Sequence, residues 1–177
     1  VRCEDLALDV WVTPDQDPFV RAYFADNVRP HLFPIMLENF ESADSLKDDT
    51  IHFAIDLQSS NTGIQQSYAV MSIPTNILSR FVILPAKGEK IFLMLLDDLI
   101  RYCLKDIFAV FGYDKIQAYT IKFTRDAELD IDNDVSKSFL EILSHSVKQR
   151  KKGDPVRFVF DDALPETLRK QIFKKFN

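Results

Sequence analysis

Ala118–Asp132 reads AYTIKFTRDAELDID, and Lys148–Asp162 reads KQRKKGDPVRFVFDD. In the first block Tyr119, Ile121 and Phe123 alternate with their neighbours, which puts them on one side of a strand over Lys115–Thr124. In the second, Val156, Phe158 and Phe160 form the inner face of another strand. Between the two, Val135, Phe139, Ile142, Leu143 and Val147 recur at helical spacing and predict a helix from Val135 to about Gln149. Gly153 suits its stop, because glycine adopts the left-handed backbone that ends many helices. The segment is therefore strand, acidic turn, helix, basic helix end and strand.

Working outward, Pro165 opens a last helix with Leu168, Ile172 and Phe176 inward. Upstream, Leu96, Leu99, Ile100, Cys103, Leu104, Ile107 and Phe108 line the buried side of another helix. Asp97 and Asp98 lie in its first turn, where carboxylates suit the positive end of the dipole, and Asp97 with Arg101 makes an exposed i,i+4 pair. Arg80–Leu84, Lys90–Met94 and Tyr68–Ile73 are short strands. Ile51, Phe53, Ile55 and Leu57 alternate with His52, Ala54 and Asp56, which predicts a half-buried strand with His52 on its polar side. Near the start, Asp17 is the expected N-cap with Pro18 at the first helical position. Val20, Tyr23, Phe24 and Val28 share a face, and Pro30 and Pro34 end this first helix. The order α-β-β-β-β-α-β-α-β-α predicts one α+β domain, a mixed β-sheet of about six strands covered by helices.

The 177 residues suit a single domain, and 46% apolar content with 15 Phe supplies a core that a disordered chain would lack. Only 4 Gly disfavour a glycine-rich phosphate loop. No run approaches the roughly 18 apolar residues of a membrane span. Two cysteines a hundred positions apart do not make a disulfide framework, so a reducing, cytoplasmic setting is the expectation. The net charge of −5 argues against a general nucleic-acid binder. The charge is uneven: Lys148–Asn177 holds nine basic and four acidic residues, a balance of +5 against −10 elsewhere.

Three histidines are the candidates for a catalytic role: His31 between two prolines, His52 on its strand and His145 opposite an apolar stripe. None has a local base or arginine clamp, and no catalytic residue is assigned. Asp130, Asp132, Asp134 and Glu141 fall at positions 1, 3, 5 and 12 of a calcium loop, but Val135 stands where that loop needs Gly. A solvated turn capping a helix is the better reading, and no metal or cofactor ligand is assigned. Lys148, Arg150, Lys151 and Lys152 end a helix, where they offset its dipole and can also steer a polyanion.

Two further segments join the opening blocks in resembling one family. RFVILP (Arg80–Pro85) precedes IFLMLLDDLIRYCLKDIF (Ile91–Phe108), and YFADNVRPHLFPI spans Tyr23–Ile35. With the TRDA of Thr124–Ala127, these blocks resemble, in order and spacing, the middle (head) domain of bacterial polyphosphate kinase, the type that synthesises long-chain polyphosphate. The resemblance runs from about Asp15 to Phe176. It implies a longer enzyme that reversibly transfers the γ-phosphate of ATP to polyphosphate through a phosphohistidine, with Mg²⁺, as a homo-oligomer. It places the chemistry in other domains of the same chain, so this domain alone is expected to be inactive, with residues 1–14 a leader from a preceding domain. Its implied work is subunit association and support of the active-site tunnel, in the cytoplasm or peripheral to the inner membrane. Tyr23, Phe24, Phe33 and Phe40 surround a proline-rich exit and are poorly placed to enter one core together, so they are the expected interface. The alternatives are an independent polyanion-binding module and a small phosphohistidine-handling enzyme.

Overall fold

The computed structural model describes residues 12–40, 46, 50–61, 63, 65–87, 90–125 and 155–176. Its elements are α1 (Asp17–Tyr23), β1 (Ile35–Met36), β2 (His52–Gln58), β3 (Ser67–Ser72), β4 (Phe81–Lys87), β5 (Lys90–Leu95), α2 (Leu96–Tyr102), α3 (Leu104–Phe108), β6 (Lys115–Arg125), β7 (Pro155–Phe160) and α4 (Glu166–Phe176). The α+β class expected from the sequence is the one found. The described strands form two sheets, one of five in the order β1-β3-β2-β6-β7 and one of two, β4-β5. Every described pair is antiparallel. The expected helix over Val135–Gln149, the acidic run and Asp126 lie outside the described residues.

The large sheet carries an apolar core on each face. On one face Phe53, Ile55 and Leu57 of β2 join Ala69 and Met71 of β3, beneath α1, α2, α3 and the inner side of the β4–β5 hairpin. On the other, Ala54, Val70, Ile121 and Phe123 lie beneath Leu164, Leu168 and Ile172, with Leu37, Phe40 and Leu46 at the margin. This arrangement corrects the reading of β2 as half-buried. Both parities of its side chains are covered, because a layer of the chain packs over each face of the sheet. His52 is therefore 0% exposed rather than on a polar face. Its Nδ1 lies 3.0 Å from Ser72 Oγ across the β2–β3 pair, and its ring stacks on Phe123 with centroids 5.2 Å apart. Asp56 is buried on the same parity, its two oxygens accepting from Gln58 Nε2 at 2.9 Å and Gln66 Nε2 at 2.8 Å.

The first helix begins one residue earlier than expected, with Gln16 at the cap position and its Oε1 accepting from Thr13 N at 3.2 Å. The chain continues as a π turn over Phe24–Val28 and a 3₁₀ turn over Arg29–His31 before it straightens at Leu32, as the prolines require. The helix read over Leu96–Phe108 breaks at Cys103, with φ −98° and ψ 9°, into α2 and α3. Its inward residues keep their places, since Leu96, Leu99, Ile100, Cys103, Leu104 and Phe108 are all buried. In β4, Pro85 cannot donate to the ladder, and the register shifts between Leu84 and Lys87. After α3 the chain turns back into β6 through Gly112, whose φ of 80° suits a residue without Cβ.

Candidate functional site

Two junctions and one surface of the described residues carry most of the chemistry. The first junction joins α1 to α2 and α3. The Asp17 carboxylate accepts from Tyr102 Oη at 2.5 Å and from Arg21 Nε at 2.9 Å, and Arg21 Nη1 reaches Asp106 at 3.0 Å. The Tyr102 hydroxyl, with help from Arg21, holds the Asp17 carboxyl below its ordinary value, while the same bond holds Tyr102 above its own. The charges compensate one another and fasten helix to helix.

In the second junction Arg101 donates from Nη1 to Asp98 Oδ1 at 3.0 Å, from Nε to Ala118 O at 3.3 Å and from Nη2 to Thr120 Oγ1, with its guanidinium 4.7 Å from the Phe53 ring centroid. The expected Asp97–Arg101 pair is not formed. The acceptors on β6 hold Arg101 on the Asp98 side of the helix, and Asp97 is buried with Oδ2 3.6 Å from Arg80 Nη2. Asp97 Oδ1 has no hydrogen-bond partner among the described residues. Burial pushes the Asp98 carboxyl up, and the neighbouring Asp97 adds to the rise. Burial likewise pushes the Cys103 thiol up to about 11, which keeps it protonated and unreactive at neutral pH.

A cleft of about 260 Å³ opens where the exit from the first helix meets the chain after β3. His31, Thr50, Ser72 and Asn76 supply its polar wall, and Phe33 and Ile77 its apolar rim. Among the described residues no carboxylate or thiol lines it. Ser72 is in contact with His52, but that histidine is sealed within the sheet, so the pair ties two strands together and does not address the cleft. Among the described residues no group of three His, Cys, Asp or Glu is arranged to hold a metal ion.

The expected interface residues separate. Phe24 and Phe40 are buried, one in each core, and belong to the domain's own packing. This corrects their assignment: with 2% and 1% exposure, both side chains are taken up by the domain's own cores. Tyr23 is half-buried and stacks on Phe19 at 6.0 Å, and Phe33 stands out at 73% exposed. The basic run Lys148, Arg150, Lys151 and Lys152, and His145, lie outside the described residues.

The surface that sequence reasoning missed is the outer side of the β4–β5 hairpin. Val82, Leu84 and Met94 face the core, while Phe81, Ile83, Ile91 and Leu93, on the other parity, are 60–74% exposed. The signal was present in FVIL and IFLM, where apolar residues fill both parities and so leave one face of a ribbon uncovered.

A family model described as the polyphosphate kinase middle domain matches residues 15–177. The polyphosphate kinase of Vibrio vulnificus (strain YJ016) is 39% identical over 164 residues, covering 90% of this chain and 23% of that protein. The polyphosphate kinase of Vibrio cholerae serotype O1 is 41% identical over 161 residues, 89% of this chain and 22% of that protein. For Escherichia coli (strain K12) the figures are 37% over 165 residues, 91% and 24%. Among solved structures, polyphosphate kinase from Porphyromonas gingivalis superposes with a TM-score of 0.70 at 24% identity, over 95% of this chain and 23% of that one, a likeness of fold. The chain thus spans less than a quarter of the length of these relatives. Among the described residues no helix is long and apolar enough to cross a membrane.

Proposed function

The chain belongs to the polyphosphate kinase middle-domain family, and from that premise we propose that it is the non-catalytic middle domain of a longer enzyme that reversibly transfers the γ-phosphate of ATP to polyphosphate. In this reading residues 15–177 are the domain and residues 1–14 lead in from a preceding one. The phosphohistidine, the nucleotide contacts and Mg²⁺ belong to other domains of the same polypeptide, and the intact protein is a cytoplasmic homo-oligomer, or lies peripheral to the inner membrane. The middle domain serves subunit association and braces the active-site tunnel.

One observation carries the proposal: a match over residues 15–177 to a domain of enzymes about four times as long. The burial of His52 supports the non-catalytic part, because a ring sealed between Ser72 and Phe123 cannot meet a phosphoryl donor. So does the compensation of Asp17, Arg21, Asp98 and Arg101 by one another, which leaves these charges engaged inside the domain. The test compares the isolated chain with the full-length protein in an assay for polyphosphate made from ATP and Mg²⁺. The full-length protein is expected to synthesise and the isolated, folded chain is not. Turnover by the isolated chain that disappears on His52→Ala or His145→Ala would overturn the proposal.

A further inference from the structure

The cleft beside the exit from the first helix is lined by a selective set of groups. Among the described residues no carboxylate, thiol, Lys or Arg lines it, and His31 is the single titratable side chain in its wall. Nothing there compensates a metal ion, an amine or a phosphate, so a charged ligand would lose its hydration without return. Leu32 is extended and its side chain enters the core, so His31 and Phe33 on either side of it leave toward the cleft. Phe33 at 73% and Ile77 at 58% exposed leave large apolar groups in water at the rim. Val70 contributes to the apolar floor, and Asn76, exposed on the chain after β3, brings an amide to the wall.

We propose that this cleft is a binding site for a neutral, planar nitrogen heterocycle with a hydrogen-bond donor beside an acceptor on one edge, the class of the nucleobases. Size, rings and edge each select that class. A volume of about 260 Å³ lies just below the roughly 300–1,000 Å³ of sites for drug-sized ligands, so it takes one ring system with its substituent at the mouth. The Phe33 and His31 rings favour a planar aromatic partner, which would withdraw the wet face of Phe33 from solvent. Whichever way its amide is turned, Asn76 offers a carbonyl acceptor beside an N–H donor, the pair that a nucleobase edge answers with both of its own. The cleft lies within this chain, so its occupation does not depend on where the chemistry of the longer enzyme resides.

The experiment is hydrogen exchange on the full-length protein that carries this chain, with uridine and adenosine as the probes. Each is expected to protect His31–Ile35 and Ser72–Ile77, and the concentration dependence gives the affinity. The donor-blocked analogues 3-methyluridine and N6,N6-dimethyladenosine are expected to bind at least about tenfold more weakly. Asn76→Asp removes the donor from the wall at an exposed position and is expected to weaken both parent nucleosides by a similar factor. Phe33→Ala is expected to weaken them about tenfold through lost stacking. Uridine monophosphate is expected to protect at the same concentration as uridine, because no cation among the described residues meets its phosphate. No protection of these two segments up to the solubility of the nucleosides overturns the proposal. Equal protection by the blocked analogues, or protection that survives Asn76→Asp and Phe33→Ala, overturns it as well. A monophosphate that binds much more tightly than its nucleoside overturns the neutral site. Polyphosphate synthesis by the same preparations is read alongside, and its absence counts against the reading of the longer enzyme and not against the cleft.

Discussion

Phe33 and Phe40 are seven positions apart in a stretch that reads as uniformly aromatic and proline-rich, and their surroundings could hardly differ more. Phe40 is fully enclosed with Leu37, Leu46 and Leu164, while Phe33 projects from the rim of the cleft. Phe40→Ala is expected to lower unfolding free energy by roughly 3–5 kcal/mol, the cost of removing a buried ring. Phe33→Ala should stay within about 0.5 kcal/mol, as surface changes do. Urea unfolding of both variants checks the contrast. A second residue-scale expectation concerns Asp17. Its folded carboxyl lies below the ordinary 3.8, held there first by the Tyr102 hydroxyl. The stability it contributes is therefore present above the unfolded value and is lost as pH falls through the lower, folded one. Tyr102→Phe removes that donor, so the variant should lose less stability than the parent as pH falls below the ordinary carboxylate value of 3.8. Melting curves at a series of pH values measure the difference. Neither result follows from the sequence, since Tyr102 and Asp17 are 85 positions apart.

At the scale of elements, the strands were legible because alternation is a local property. β6 with Tyr119, Ile121 and Phe123, and β3 with its run from Tyr68, fall where the pattern puts them. What alternation could not tell was whether the second parity meets solvent or a second layer. In β2 the polar identities of His52 and Asp56 pointed to solvent, and two of the groups that satisfy them, Ser72 and Gln66, come from beyond the strand. The same ambiguity ran the other way in β4 and β5, where apolar residues on both parities suggested burial and one face is bare. The break at Cys103 was hidden because inward residues on either side keep a common spacing. His52→Ala tests the structural role of that side chain. It should lower stability by roughly 1–3 kcal/mol, since Ser72 loses its partner inside the sheet. Polyphosphate synthesis per folded full-length molecule should not change, and the two readouts separate a strut from a phosphoacceptor.

For the molecule as a whole, β2 joins the two cores, and it stands between β3, its neighbour in sequence, and β6, which is about sixty residues further on. During synthesis at roughly 5–20 residues per second, the β2–β3 hairpin therefore waits several seconds with one side of β2 unclosed. It also waits longer for α4, the last described helix, to cover Ala54 and Val70. The nascent chain thus passes through an interval in which a strand meant for the middle of a sheet is an edge, and in that interval its closest hazard is the same strand on the next ribosome.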